Sequence, residues 1–323
     1  MAARFELGHV GDRLKTEFVG PDMSRAQWLW LILLSILWGG AFFFIGVAVR
    51  ELPPLTLVLA RVGLGAAFLW IVLSIGRTPM PWTLSAWSAF AGMSLLNNVI
   101  PFTAIVAGQQ TISSGLASVL NGTTPLWSVL LLHFFTRDDP LTPNRLVGVL
   151  IGAVGVAVLV GPAALEGATM NLQGMLLILL ATFSYGCSAV WGRRLRAVPP
   201  LVSSVGQLTC STILLAPLAL AIDQPWTMDM PSLEVVAAVV GLAIPSTAIA
   251  YLVFFHIASV SGTANVMLVT LLIPVSAVAL GTLVLDEILL PRHILGGLII
   301  GSALIVIDGR ALGWLQLGRR ASR

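Results

Sequence analysis

The chain has 323 residues, of which 57% are hydrophobic and only 10% charged, with a mean hydropathy of +0.97. A soluble globular domain carries roughly 25% charged residues, so an ordinary soluble fold is excluded. The net charge of +3 and pI near 9.4 do not point to nucleic acid, because the basic residues follow the pattern of a membrane topology.

A hydrocarbon core roughly 30 Å thick needs about 20 apolar residues per helix. Ten stretches meet that need and predict an all-α integral membrane protein: 26–48, 55–75, 85–107, 112–135, 144–161, 172–192, 200–221, 232–258, 262–285 and 291–309. The 22 residues before Met23 are polar, and Met23 is itself a candidate start. The first apolar run is long enough to cross and lacks a small-residue cleavage pattern, so it reads as a span and not as a signal peptide.

Along the chain, span 1 carries Trp38 and span 2 carries Arg61, the one charged residue well inside a span. Arg61 can snorkel to the nearby helix end or meet an anionic substrate group. Span 3 holds Asn97, Asn98 and Pro101; span 4 holds Asn121, Pro125 and His133. Span 6 carries Tyr185 and Cys187, span 7 Gln207 and Cys210, span 8 Pro245 and His256, and span 9 Asn265, Thr270 and Pro274. Polar groups at this depth face the bundle interior, as interhelical hydrogen bonds or as the lining of a substrate path. A mid-span proline loses a hydrogen bond and clashes with the carbonyl four residues back, here those of Asn121 and Thr270. Such breaks persist where protein or a water-lined cavity repairs them, so Trp38, Asn97, Asn121, Pro125, Tyr185, Asn265, Thr270 and Pro274 are the substrate-path candidates. His133 and His256 near span ends are weak proton-relay candidates.

The chain repeats itself. Residues 113–152 lie on 262–301 without a gap, setting Pro125 on Pro274, Asp138 on Glu287, Gly148 on Gly297 and Gly152 on Gly301. With a small slip, Trp38-Gly39 falls on Tyr185-Gly186, Pro53-Pro54 on Pro199-Pro200, and Arg61 on Gln207. Two like halves are a sequence sign of a secondary transporter. Each half has five spans, an odd number, so the second copy enters the membrane from the opposite side. The expected division is a tail at 1–25, a repeat at 26–161, an external linker at 162–171, a repeat at 172–309 and a tail at 310–323.

Orientation follows from charge. Fourteen basic residues (Arg4, Arg13, Lys15, Arg25, Arg77, Arg137, Arg145, Arg193, Arg194, Arg196, Arg310, Arg319, Arg320 and Arg323) fall on the side of the termini, against Arg50 and Arg292 on the other. Lys and Arg accumulate on the cytoplasmic side, which places both termini in the cytoplasm of a cell in whose inner membrane the protein resides. Trp28, Trp30, Trp82, Trp191 and Trp314 mark helix ends on the same side, as an aromatic belt would.

In the order LWGGAFFFIGVAV, Pro53-Pro54, the Arg61 span, the small-residue span leading to Pro125, an acidic residue and a Gly-rich fifth span, most of it duplicated, the chain resembles the EamA type of the drug/metabolite transporter superfamily over residues 28–309. The acidic position, often Glu in that family, is Asp138-Asp139 in the first half and Glu287 in the second. The resemblance implies a small-molecule carrier, often an exporter, with a cavity between the halves.

All 14 acidic residues lie in tails, connections or span ends, so the central carboxylate usual in proton- or cation-driven pumps is missing. No P-loop pattern and no metal-ligand spacing occur, and no cofactor is expected. The partners expected are a small-molecule substrate and membrane lipid, not nucleic acid. Gly148, Gly152 and Gly155 in span 5, with Gly297 and Gly301 in span 10, make small-residue faces that suit contact within the chain or a homodimer. The competing reading is a membrane-embedded enzyme acting on a lipid-linked substrate, with Asp138, Asp139 and His133 as its chemical cluster.

Overall fold

The computed structural model describes residues 24–136, 141–165, 170–261 and 263–308. Asp138, Asp139, Arg137, Trp314 and residues 166–169 of the 162–171 linker lie outside them; 162–165 end α5 and 170–171 begin α6.

Among the described residues, nine apolar helices of spanning length and a tenth, shorter one form one bundle: α1 (Arg25–Ala48), α2 (Pro54–Ile75), α3 (Leu84–Gly108), α4 (Ser114–Phe135), α5 (Pro143–Leu165), α6 (Met170–Trp191), α7 (Pro200–Asp223), α8 (Leu233–Ser261), α9 (Thr263–Val266 and Val269–Val284) and α10 (Pro291–Asp308). Their starts are written locally. Ser24 and Gln27 form a capping box on α1, and Thr83, Ser113 and Ser232 cap α3, α4 and α8 with their hydroxyls. Proline opens α2, α5, α7 and α10, where its missing N–H has no helical partner to lose. Outward positions such as Ile71, Val275 and Leu298 are 60%, 65% and 68% exposed, as residues that face lipid should be.

The packing is two-fold in pattern, the two five-helix repeats being inverted relative to each other. Helix α1 packs on α8 and α9 of the other half; its counterpart α6 packs on α3 and α4. The pairs α2–α7 and α5–α10 each join equivalent helices across the pseudo-axis. The duplicated aromatic-Gly step explains the closest approaches. A Cβ on Gly39 would lie 2.8 Å from Ser276 Oγ and 2.9 Å from the Ala277 backbone nitrogen. One on Gly186 would lie 2.8 Å from Trp127 Cβ. Gly148 and Gly155 of α5 close on α10 within one chain, a Cβ on Gly155 coming 2.8 Å from Ile300, whereas Gly152 and Gly297 face Leu126 and Val119 of α4 and Gly301 meets nothing within 4 Å.

Helices α3 and α8 each loosen into a π-helical stretch, Leu95–Val99 and Ile244–Ile249. Such widened turns are frequent at functional sites. In the register that pairs residues 113–152 with 262–301, Asn97 falls on Ser246, Asn98 on Thr247 and Phe102 on Tyr251. Pro101 and Pro245 do not fall on each other in this register, since each stretch contains or adjoins its proline at a different offset.

The span 4 break differs from a simple kink. Helix α4 stops at Asn121 and restarts at Thr124, with Pro125 in the first turn of the second segment. The Asn121 carbonyl, freed by that proline, accepts from Thr124 Oγ1 at 2.8 Å. Pro274 lies inside its helix, and the break in α9 falls earlier, at Met267 and Leu268.

Candidate functional site: a central cavity between the halves

A cavity of about 610 Å³ occupies the bundle centre, within the range typical of small-molecule sites. Its walls come from α1 to α4 of the first half and α6 to α9 of the second; among the described residues, α5 and α10 contribute none. Trp38, Asn97, Asn121, Tyr185, Thr270 and Arg61 all line it, whereas Pro125, Asn265 and Pro274 do not. Asn265 is buried and donates to the Ser261 carbonyl at 2.9 Å. Pro125 adjoins the break next to Asn121, whereas Pro274 lies inside its helix, beyond the break that precedes Thr270.

Aromatic rings form one part of the apolar wall. Trp38 and Phe254 lie with centroids 5.4 Å apart, Phe254 meets Phe255 edge-on, and Tyr251 stacks near Phe255. Polar groups form two clusters related by the pseudo-two-fold. In one, Arg61 Nε donates to Thr247 Oγ1 at 2.9 Å, and the guanidinium lies 3.6 Å over the Phe102 ring. In the other, Asn97 Nδ2 donates to Gln207 Oε1 at 3.2 Å and to Tyr251 Oη at 3.4 Å. Tyr251 in turn donates to Asn98 Oδ1, and Asn98 Nδ2 to Ser211 Oγ at 3.0 Å. Gln207, the counterpart of Arg61, thus accepts from Asn97, which also reaches Tyr251, the counterpart of Phe102.

Arg61 does not snorkel. Only 6% exposed, it turns inward, because Phe102 and Thr247 offer a ring face and an acceptor at its own depth. Sequence reasoning missed Phe102, Thr247 and Tyr251, whose apolar or β-branched character gave no polar signal. Neither histidine reaches the cavity. His133 Nδ1 accepts from the Leu141 amide at 3.1 Å, and His256 packs edge-on against Trp30. No group of His, Cys, Asp or Glu able to hold a metal occurs among the described residues.

The cavity is open toward one face. Its lining reaches Leu195, Arg196 and Val198 in the α6–α7 connection, and among the described residues takes none from the α1–α2, α3–α4 or α9–α10 connections. At that second face, carboxylates of one half hold helix N-termini of the other. Glu287 accepts from Ser114 N at 2.8 Å, Ser114 Oγ at 2.7 Å and Gly115 N at 3.0 Å. Asp223 accepts from Thr56 N and Oγ1 at 2.7 and 2.9 Å, and Glu51 accepts from Ser232 N at 2.7 Å. These are charge-assisted bonds at positive helix ends, the favourable place for a carboxylate. Bonding to the Ser232 backbone and side chain holds the Glu51 pKa below its ordinary value. The turn that aims Glu287 is specific: Asp286 takes a left-handed conformation (φ 54°), and Glu287 N returns to the Gly281 carbonyl. Gly281 leaves the room that the carboxylate fills.

A family model described as the EamA-like transporter family matches residues 26–161 and again 172–307. Protein PecM of Dickeya dadantii is 27% identical, over 85% of this chain and 90% of its own length. A probable amino-acid metabolite efflux pump of Escherichia coli K12 is 26% identical, over 88% and 95%. Transporter YoaV of Bacillus subtilis, described as uncharacterized, is 24% identical, over 84% and 93%. A solved crystal structure with 21% identity shares the fold at a TM-score of 0.62, over 93% of this chain and 100% of that one. With both halves matched and most of its length covered, the chain belongs to the EamA-like transporter family.

Proposed function

We propose that the protein is a secondary transporter of the cytoplasmic membrane, which exports a small metabolite or drug-like molecule, amino-acid-like in size, by alternating access. The observation that carries this reading is the cavity between the halves, open at one face and sealed at the other by carboxylates that cross from half to half. Inverted repeats give two related states around one central site. The basic asymmetry puts the open face in the cytoplasm, so this state is the one that loads from inside, as an exporter requires. The name of the Escherichia coli relative supports the direction and the size class.

The test is counterflow and efflux of a metabolite panel in proteoliposomes, with and without an imposed pH gradient. Saturable exchange of at least one small metabolite, lost in protein-free vesicles, is expected. Absence of exchange for every panel member in correctly folded, reconstituted protein would overturn the proposal.

A further inference from the structure

We propose that Arg61 is the anchor for an anionic substrate group, so that the cavity selects small organic carboxylates with an apolar body and rejects the matching amines. This deepens the transporter reading and rests on it for the transport step alone.

Arg61 is buried at the cavity wall, and among the described residues no carboxylate pairs with it. Its one side-chain hydrogen bond, from Nε to Thr247, fixes the plane of the guanidinium and leaves the terminal nitrogens for another partner. An arginine offers a rigid fork that matches a carboxylate with two parallel bonds. A buried charge without a counter-charge is costly, so a cavity that keeps one needs a use for it.

The repeat supplies a built-in control. Position 61 corresponds to Gln207, whose Oε1 accepts from Asn97 Nδ2, whereas Arg61 Nε donates to Thr247. A neutral amide therefore satisfies the packing and hydrogen bonding at this site in the second half. The fold does not require a charge there, and the charge sits on one side of the pseudo-axis only.

The rest of the wall agrees. Its described charged members are Arg61 and Arg196, and it contains no acidic residue. With cationic and no acidic side chains among the described lining, the cavity is attractive to anions and repulsive to cations. Beside Thr247, Ser246 is 1% exposed, lines the cavity, and has a hydroxyl without a partner. A second carboxylate oxygen would satisfy it. Trp38 and Phe254 offer the apolar surface for the body of the molecule.

Three matched probes test this: phenylacetate, its neutral amide phenylacetamide, and the cation phenethylamine. Each is measured with purified wild type, R61Q and R61K, first for ligand-induced thermal stabilisation and then for exchange in proteoliposomes. Phenylacetate should bind wild type at least ~10-fold more tightly than the amide, as one charge-assisted pair predicts, with the amine weakest. R61Q should erase that preference, and R61K should recover part of it, since an ammonium keeps the charge but not the fork. Equal binding of the three by wild type, a decision that needs no variant, overturns the anchor; so does a preference that survives in R61Q. Exchange of amide and amine as fast as of phenylacetate keeps the transporter and removes the anchor. Selective stabilisation by phenylacetate without exchange of any probe keeps the anchor and removes the transporter. No stabilisation by phenylacetate removes the anchor outright.

Discussion

Glu287 makes a quantitative test of alternating access possible. Its carboxylate receives three hydrogen bonds from the first turn of α4, two from backbone N–H groups that have no helical acceptor. Hydrogen bonds to a charged group contribute about 1.5–3 kcal/mol each, and a carboxylate at a helix N-terminus adds about 0.3–1 kcal/mol. Glu287→Gln keeps one carbonyl acceptor but turns an amide N–H₂ toward the remaining donors and removes the charge. The loss is about 2 kcal/mol, and it falls only on the state in which this face is closed. At 1.4 kcal/mol per factor of ten, the closed-to-open ratio should drop about 30-fold. Ile45, at 1% exposure on the cavity wall, reports that opening. With Cys187 and Cys210 replaced by Ala and Ile45 by Cys, alkylation by a membrane-impermeant maleimide applied from the Glu287 face should accelerate by roughly this factor. An unchanged rate, in a variant that melts at the same temperature as its parent, would mean that the carboxylate is a local cap and does not set the equilibrium between states.

The remaining predictions concern the close approaches and pH. Gly39→Val and Gly186→Val should each lower thermal stability by about 1–3 kcal/mol, the usual cost of overpacking, because the new Cβ meets backbone of α9 or α4; melting in detergent checks this, and equal melting would show that the helices can part freely. The Glu51 pKa is depressed in the folded protein, so the stability it contributes is present above its unfolded value and lost as pH falls through the folded one. Closure of this face, followed at Ile45→Cys, should therefore hold through the ordinary glutamate range and weaken only below it, and Glu51→Gln should remove that acid-dependent step.

Much of the architecture is legible in the sequence for definite reasons. Apolar length sets the number of spans, and an odd number per repeat forces inversion. Helix α9 shows the limit of the length rule: its main segment, Val269–Val284, is short, and Thr263–Val266 supplies the rest. Site legibility depended on residue type. Asn97, Asn121, Tyr185 and Arg61 stand out because polar groups at membrane depth need a reason, and all four line the cavity. Phe102 and Thr247 do not stand out, since an aromatic ring or a threonine is ordinary in a span; only the fold puts them beneath and beside Arg61. Glu287 was visible as the repeat partner of Asp138, but its bond to α4 joins residues 173 positions apart, which no local pattern encodes. The π-helical stretches were missed for a related reason: a widened turn leaves the hydrophobic count of a span unchanged.

The asymmetry at the centre bears on energy as well as on selection. Among the described residues no carboxylate lines the wall to carry a proton with the substrate, and His133 and His256 stand away from it. A carboxylate bound at Arg61 brings a charge of its own. Moving one negative charge outward across a membrane that is negative inside releases about 2.3 kcal/mol per 100 mV, a concentration ratio of roughly 50-fold. Arg61 belongs to the protein and returns with it, so the net charge moved per cycle is that of the substrate. An exporter of small organic anions thus needs no ion to be pumped alongside, and a wall with a single buried cation and no titrating acid is the simplest site consistent with that economy. The pseudo-two-fold makes both states possible; on the proposed reading, the charge that Arg61 carries and its counterpart Gln207 lacks selects what moves between them.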